Sequence, residues 1–256
     1  MSEARAEPVG VHADTARAAP VATDTLVRTI RAAAHAGDAR AQRLYAQMHC
    51  EGRGIDCDPA EGVHWYRLAA ASGDARAMNM LGRCHELGHG TPASAELAAA
   101  WYRKSAHAGD PWGMYNIANL LATGRGVKRD AAAALAWYRR AAERGHAKAM
   151  NLVGRHYEEG WEVARDGGIA LAWYRRSAHA GDFRGQASLA AVLVQQGRIA
   201  EAAYWLRRAS RAGTPAFLAR LGAELADSPH VALRSIAAIM RARLGAVLNS
   251  GVNSAA

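Results

Sequence analysis

A tryptophan–tyrosine pair recurs in this sequence at a constant spacing of 36 residues, and a glycine keeps the same spacing in the same register. The pairs are Trp65-Tyr66, Trp101-Tyr102, Trp137-Tyr138 and Trp173-Tyr174, and the glycines are Gly37, Gly73, Gly109, Gly145 and Gly181. A period of roughly 20 to 50 residues is typical of stacked supersecondary units, each of which buries its apolar face against its neighbours. The spacing therefore predicts a solenoid.

Each unit of the repeat reads as two helices. The first half predicts a helix of about 13 residues that begins after an N-capping aspartate and ends at a glycine. The second half starts near another aspartate and carries the Trp-Tyr pair. The units are 38–73, 74–109, 110–145, 146–181 and a shorter 182–213. We therefore predict an all-α fold, a right-handed α/α superhelical solenoid of about five helix-turn-helix repeats.

Both ends of the solenoid depart from the repeat, as terminal units must to end a stack. Residues 25–36 read as the second helix of an incomplete unit. Residues 214–248 read as a capping hairpin whose last helix carries an apolar stripe, suited to closing the core or, alternatively, to pairing with another chain. We expect the solenoid to span 23–248, with disordered tails at 1–22 and 249–256.

The ninth residue of each unit is small, which predicts close approach of two helices at that point. We expect the tryptophan of a second helix to fill the space, so the four Trp-Tyr tryptophans are predicted to be core residues. The small residues are Ala46, Gly82, Ala118, Gly154 and Ala190.

The consensus A-x-x-x-L-G-x-x-Y-x-x-G-x-G-V-x-x-D-x-x-x-A-x-x-W-Y-x-x-A-A-x-x-G resembles the Sel-one-like repeats (SLR), which are related to tetratricopeptide repeats. Good copies are AMNLVGRHYEEG and ALAWYRRSAHAG in the fourth unit, and the resemblance covers 38–213. It implies a superhelical scaffold that binds other proteins or peptides, with no enzymatic activity and no cofactor. A cysteine-rich secreted branch of the family carries paired cysteines in each repeat, and this chain lacks those pairs.

A candidate binding surface follows from the first helices, which line the concave face in tetratricopeptide-like stacks. Positions three, six, ten and thirteen of each unit share one stripe, here called the inner stripe. Trp112 and Tyr115 lie at its centre, flanked by arginines and asparagines, residue types that suit peptide recognition. We predict an acidic or amphipathic peptide as the ligand, with local packing of Trp112 as the alternative. The predicted site comprises Arg76, Asn79, Arg83, Trp112, Tyr115, Asn119, Lys148, Asn151 and Arg155.

The charge balance leaves a second function open. The net charge is +9, and a row of cations follows the Trp-Tyr pairs: Arg67, Arg103-Lys104, Arg139-Arg140, Arg175-Arg176 and Arg207-Arg208. A basic nucleic-acid-associated protein is therefore the alternative to a protein scaffold, although a solvated convex face explains the row equally well and no nucleic-acid motif accompanies it.

Other sequence features favour a cytoplasmic protein. Three cysteines suit a reducing compartment, the first 20 residues lack a signal-peptide segment, and no apolar run approaches the length of a membrane span. The arginine- and alanine-rich composition suits a bacterial source.

A metalloprotease-like motif, His85-Glu86-Leu87-Gly88-His89, spells H-E-x-x-H and makes a zinc hydrolase the remote alternative. The repeat register argues against it, because Gly88 occupies the position where each first helix ends, which should place His89 beyond the helix. A second possible metal site combines His49, Cys50, Cys57, Cys84 and His85, but its spacing matches no known ligand pattern. We therefore expect no metal site.

Overall fold

The structure, a computed structural model, describes the backbone of residues 20–252 and the side chains of residues 24–246. All the regular secondary structure in this part of the chain is helical. The helices are α1 (Pro20–His35), α2 (Ala39–Glu51), α3 (Pro59–Ala71), α4 (Ala75–Leu87), α5 (Ala95–His107), α6 (Pro111–Thr123), α7 (Ala131–Glu143), α8 (Ala147–Glu159), α9 (Gly167–His179), α10 (Phe183–Gln195), α11 (Ile199–Ala212), α12 (Pro215–Ala226) and α13 (Val231–Val252). The chain is therefore an α/α solenoid, and the predicted fold class is confirmed.

Helix boundaries follow the predicted caps. The side chain of Asp38 accepts a hydrogen bond from the backbone N–H of Ala41 at 2.6 Å, and the corresponding aspartates cap α4, α6 and α10. Gly52 ends α2 in the left-handed conformation, φ +65°, and α4, α6 and α8 end at glycines in the same way. The fifth unit differs, because α10 is capped by Gln196 and the left-handed Gly197 comes one residue later.

The first helices of the units form one layer and the second helices form the other. Each helix from α1 to α10 packs against the next one in the chain. Within the first-helix layer, helices of adjacent units also touch, α4 against α6 and α8 against α10. This close approach places the first helices on the inner side of the stack, the side that carries the inner stripe.

Tyrosine, and not tryptophan, fills the space above the small ninth residue, so that packing prediction was wrong. A Cβ atom on Gly82 would lie 2.5 Å from Cδ1 of Tyr102, and one on Gly154 would lie 2.6 Å from Cε1 of Tyr174. Both tyrosines are fully buried. Adjacent residues of a helix point about 100° apart, so only one member of the pair can face the neighbouring helix. Of the four tryptophans in these pairs, Trp65 is buried and the other three are half-buried.

Side chains at the junctions between units alternate with a period of two units. Ser105 packs against Gly113, where a Cβ atom would lie 2.2 Å from the serine Oγ, and Ser177 packs against Gly185 in the same way. The two equivalent junctions carry an alanine at both positions, Ala69 with Ala77 and Ala141 with Ala149. Each junction thus has either two methyl groups or one hydroxymethyl group and a hydrogen, because the available volume is fixed.

The C-terminal hairpin closes the stack with a different geometry from the repeats. Its long helix α13 packs against α11 and buries Leu233, Ile236 and Met240. The shorter α12 reaches α10 through a contact between Phe183 and Phe217, with ring centroids 4.7 Å apart.

Both terminal helices extend into stretches that the sequence predicts to be disordered. Helix α1 begins and α13 ends inside the stretches 1–22 and 249–256 that the sequence predicts as disordered, and the remainder of those stretches lies outside the described residues. Within the described part, no helix has the length and apolar character needed to cross a membrane.

Candidate peptide-binding groove

The centre of the inner stripe is an aromatic cluster built by α6 and α8. Trp112 is 45% exposed, and its ring meets Tyr115 edge-on at 6.3 Å. Both rings pack against His146, each with a centroid distance of 4.5 Å. The Lys148 ammonium lies 5.5 Å from the centre of the Trp112 ring, within cation–π range. The structure thus brings three of the predicted residues together around a histidine that the sequence analysis did not include.

His146 occupies the position where the other units have a capping aspartate. Its Nδ1 atom accepts a hydrogen bond from the backbone N–H of Ala149 at 3.2 Å, so the proton of the neutral ring belongs on Nε2. Burial, and to a smaller extent the charge of Lys148, lowers the pKa of His146 to about 4. The ring is therefore neutral near pH 7, and its buried Nε2 atom has no hydrogen-bond partner.

The asparagines of the inner stripe are mostly engaged inside the protein. Asn79 is buried and accepts a hydrogen bond from the side chain of Asn116 at 2.8 Å. Asn119 accepts one from the hydroxyl of Tyr138 at 2.7 Å. Asn151 is buried as well, but its Oδ1 atom has no partner. Two of the three predicted asparagines therefore have structural roles.

Most acidic groups of the inner stripe and of the first-helix caps are already partnered. Asp74 pairs with Arg43 at 3.0 Å, and Glu158 accepts a hydrogen bond from the hydroxyl of Tyr174 at 2.6 Å. Glu86 accepts the hydroxyl of Tyr102 at 2.6 Å and also pairs with Arg125, a loop residue of the next unit. Asp74 and Glu86 are therefore neutralised by arginines, whereas Glu158 keeps its negative charge.

The predicted cations have no such neutralising partners. Arg83 and Lys148 are half-buried, Arg76 and Arg155 are exposed, and none of the four forms an ion pair among the described residues. The Arg155 guanidinium instead lies 5.3 Å from the ring centre of Trp161. The inner stripe consequently carries uncompensated positive charge around its central aromatic cluster.

The H-E-x-x-H motif is not contained in one helix. Helix α4 ends at Leu87, Gly88 turns the chain in the left-handed conformation, and His89 is exposed beyond the helix, as the repeat register predicts. His85 is buried, and Glu86 is held by the contacts described above. Among the side chains that the structure describes, no group of three or more histidine, cysteine, aspartate or glutamate residues is arranged to hold a metal ion.

The proposed His/Cys cluster resolves into a thiol pair. The thiols of Cys50 and Cys84 interact across the first two units, and the influence of Cys50 lowers the pKa of Cys84. Cys57 is exposed, and its thiol approaches the backbone oxygen of Cys50 at 3.7 Å. None of the three cysteines forms a disulfide.

The basic row of the second helices is largely a cover for the tryptophans. Lys104, Arg140 and Arg176 each follow a tryptophan by three residues and lie over its ring, at 4.4, 4.8 and 4.2 Å from the centre. Arg139 donates a hydrogen bond to the hydroxyl of Tyr157. Much of the row therefore packs against aromatic rings, which explains why the cations recur with the Trp-Tyr pair.

Comparison with known families identifies the repeat. The Sel1 repeat model matches residues 39–74, 75–110, 113–146, 147–182 and 195–214. The chain belongs to the Sel1 repeat family. Proteins of this family are generally protein-interaction scaffolds and are typically non-catalytic. No curated protein matches the chain significantly.

Two solved structures of Sel1 repeat proteins resemble the chain along most of its length. One is a Sel1 repeat protein from Oxalobacter formigenes, 30% identical, with a TM-score of 0.70 over 81% of this chain and 89% of that one. The other is c5321, a protective antigen of uropathogenic Escherichia coli, 29% identical, with a TM-score of 0.69 over 88% of this chain and 49% of that one. The immunity protein Pa5087 of Pseudomonas aeruginosa, 17% identical with a TM-score of 0.54 over 80% of each chain, shares the fold alone.

Proposed function

We propose that this protein is a non-enzymatic adaptor that holds a peptide segment of another protein against its inner stripe, anchored at Trp112 and Tyr115. The observation that carries the proposal is the exposure of Trp112 within a cluster of aromatic and cationic side chains. A large aromatic side chain that remains accessible on a rigid surface is a typical anchor for a partner. Its helix is fixed at both ends by caps, so the anchor is held in place before binding.

The surroundings of Trp112 favour an acidic or amphipathic segment. Uncompensated cations lie on both sides of the ring, from Arg83 in the second unit to Arg155 in the fourth. Positive charge of this kind attracts acidic partners and disfavours basic ones. A cytoplasmic location in a bacterium fits the proposal, because the three cysteines are not joined in disulfides.

Affinity capture from a bacterial lysate, with and without nuclease treatment, tests the proposal. The bait proteins are the wild type, Trp112→Ala and a control, Tyr204→Ala, which removes an aromatic side chain that is 51% exposed on α11. We expect the wild type and the control to retain the same partner and Trp112→Ala to lose it. Circular dichroism verifies that both variants remain folded.

Other results of the same capture would contradict the proposal. Equal capture by all three proteins would remove Trp112 from the binding surface. Loss of every captured protein on nuclease treatment, in all three samples alike, would support the nucleic-acid alternative and direct attention to the basic row. Binding to phosphate backbones would also weaken steeply with added salt.

A further inference from the structure

Lys148 brings a positive charge to the centre of the inner stripe and forms no salt bridge among the described residues. Burial lowers the pKa of this lysine first, and the nearby charges of Arg184 and Arg83 lower it further, while Asp182 opposes them. Arg83 and Lys148 belong to units two apart, and the charge of Arg83 still acts on Lys148. Like charges held together by a rigid scaffold favour the binding of an anion, which removes part of their repulsion.

An unsatisfied hydrogen-bond donor lies beside this charge. The His146 side chain is only 6% exposed, its Nδ1 atom is used by the helix cap, and its protonated Nε2 atom has no acceptor. A buried donor without a partner costs free energy, of order 1 to 3 kcal/mol, that an incoming acceptor can recover. The ring lies against Trp112, and the charge of Lys148 acts on it, so the donor and the cation belong to one locality.

We infer that this locality is a subsite for the carboxylate of an aspartate or glutamate side chain in the bound peptide. Lys148 is its counter-ion, His146 offers an additional donor when the Trp112 ring shifts, and Trp112 covers an apolar side chain of the peptide beside the carboxylate. The inference rests on the proposed function, because it names the chemistry that the groove recognises. A carboxylate is selected because the Lys148 ammonium forms no ion pair within the described part of the chain, which matches a single negative charge.

The acids near Lys148 form no salt bridge with it among the described residues. Asp182, the acidic group that acts on Lys148, accepts hydrogen bonds from the backbone N–H of Gly185 at 2.8 Å and from Ser177 at 3.3 Å, which fix it as the cap of α10. Glu86 and Glu158 are held by the tyrosine hydroxyls described above. A carboxylate from outside the chain therefore meets a vacant partner at Lys148.

The test uses two labelled peptides and four proteins. One short fluorescein-labelled peptide has a single glutamate among leucines and alanines, and its counterpart has glutamine at that position. The proteins are the wild type, Trp112→Ala, Lys148→Met and the control Lys104→Met. Lys104 also lies over a tryptophan ring, Trp101, at 4.4 Å, so its substitution makes the same change in net charge on the opposite layer. Fluorescence anisotropy gives the Kd of each pair.

The expected pattern separates the subsite from the groove. We expect the glutamate peptide to bind the wild type and Lys104→Met about tenfold more tightly than the glutamine peptide, the effect of one favourable half-buried charge contact. Lys148→Met should abolish that tenfold preference and leave the Kd of the glutamine peptide unchanged. Trp112→Ala should weaken both peptides.

Each contrary result would refute a specific part of the proposal. The carboxylate subsite would be overturned if the wild type bound both peptides equally well, or if Lys104→Met lost the preference for glutamate as Lys148→Met does. The groove would remain in place if Trp112→Ala still weakened binding. Tighter binding of a phosphoserine version than of the glutamate peptide would replace the carboxylate by a phosphate. Failure of both peptides to bind at about 1 mM, or no effect of Trp112→Ala, would overturn the groove as well.

Discussion

Replacing His146 by asparagine should reduce the sensitivity of the protein to acid. His146 caps α8 through Nδ1, and this role requires the neutral ring, because a protonated Nδ1 can no longer accept the Ala149 N–H at 3.2 Å. Asparagine is an effective N-cap and does not titrate. The substitution therefore keeps the cap and removes the ionisation.

The magnitude follows from the difference between the two pKa values of this histidine. The pKa is about 4 in the folded protein and about 6.5 when the chain is unfolded. The unfolded state thus takes up a proton at a pH where the folded state does not. The resulting stabilisation is complete above pH 6.5 and is lost progressively as the pH falls towards 4. With about 1.4 kcal/mol per pKa unit, the loss between pH 7.5 and 4.5 amounts to about 2 to 3 kcal/mol.

Urea denaturation, followed by circular dichroism at several pH values between 7.5 and 4.5, measures this effect. We expect the wild type to be the more stable protein at pH 7.5 because its imidazole packs against Trp112 and Tyr115, and we expect its advantage to fall by about 2 to 3 kcal/mol at pH 4.5. The shifted pKa values of His85 and Asp110 contribute equally to both proteins and cancel in the difference. If the difference in unfolding free energy between the two proteins changed by less than about 0.5 kcal/mol between pH 7.5 and 4.5, the burial argument would be refuted.

Two further predictions concern glycines. Gly126→Ala should lower the free energy of unfolding by about 2 to 3 kcal/mol, because its Cβ would lie 2.2 Å from the backbone of Ala95. Gly145 is also left-handed, at φ +88°, but has open surroundings, so Gly145→Ala should cost only about 1 to 2 kcal/mol. Urea unfolding compares the two variants, and equal losses of stability would contradict the steric argument. Gly113→Ala should destabilise the protein, because the new Cβ would meet Ser105. Adding Ser105→Ala should recover about 1 kcal/mol or more of stability, since the pair then matches the alanine junctions. A strictly additive double-mutant cycle would contradict this prediction.

The local structure follows closely from the sequence. The capping aspartates and the left-handed glycines act within one turn of their own helix, so their effect is encoded by residue type and spacing. For this reason the bounds of α2, α4, α6 and α8 agree with the predicted bounds, and the end of α4 at Leu87 removes the zinc motif as the register predicts.

The prediction that tryptophan packs above the small ninth residue was wrong for a simple reason. Two adjacent aromatic residues in each second helix are both apolar enough for a core, and the pattern alone does not say which one faces the neighbouring helix. The structure places tyrosine inside, where its hydroxyl reaches a carboxylate or an asparagine of the first helix, as in the bond from Tyr102 to Glu86. Trp101, Trp137 and Trp173 then lie at the edge, each covered by a cation one turn later.

The candidate site shows the same division. Helical spacing alone placed Trp112, Tyr115 and Lys148 on related faces, and the structure brings them together. It did not indicate that Asn79 and Asn119 are used internally, because their partners lie in other helices. His146 was not among the predicted site residues, although a histidine at a capping position of an otherwise aspartate-capped repeat was a usable signal.

The sequence by itself therefore determined the repeat, the number of units, the helix boundaries and the surface that the first helices share, since all of these depend on interactions within about one turn or on a strict period. Only the tertiary structure decided which aromatic residue enters the core, which polar groups of the inner stripe are satisfied, and where its charges converge. Those outcomes depend on contacts between units, and a contact between units is fixed by the volume and curvature of the stack, which no single repeat contains.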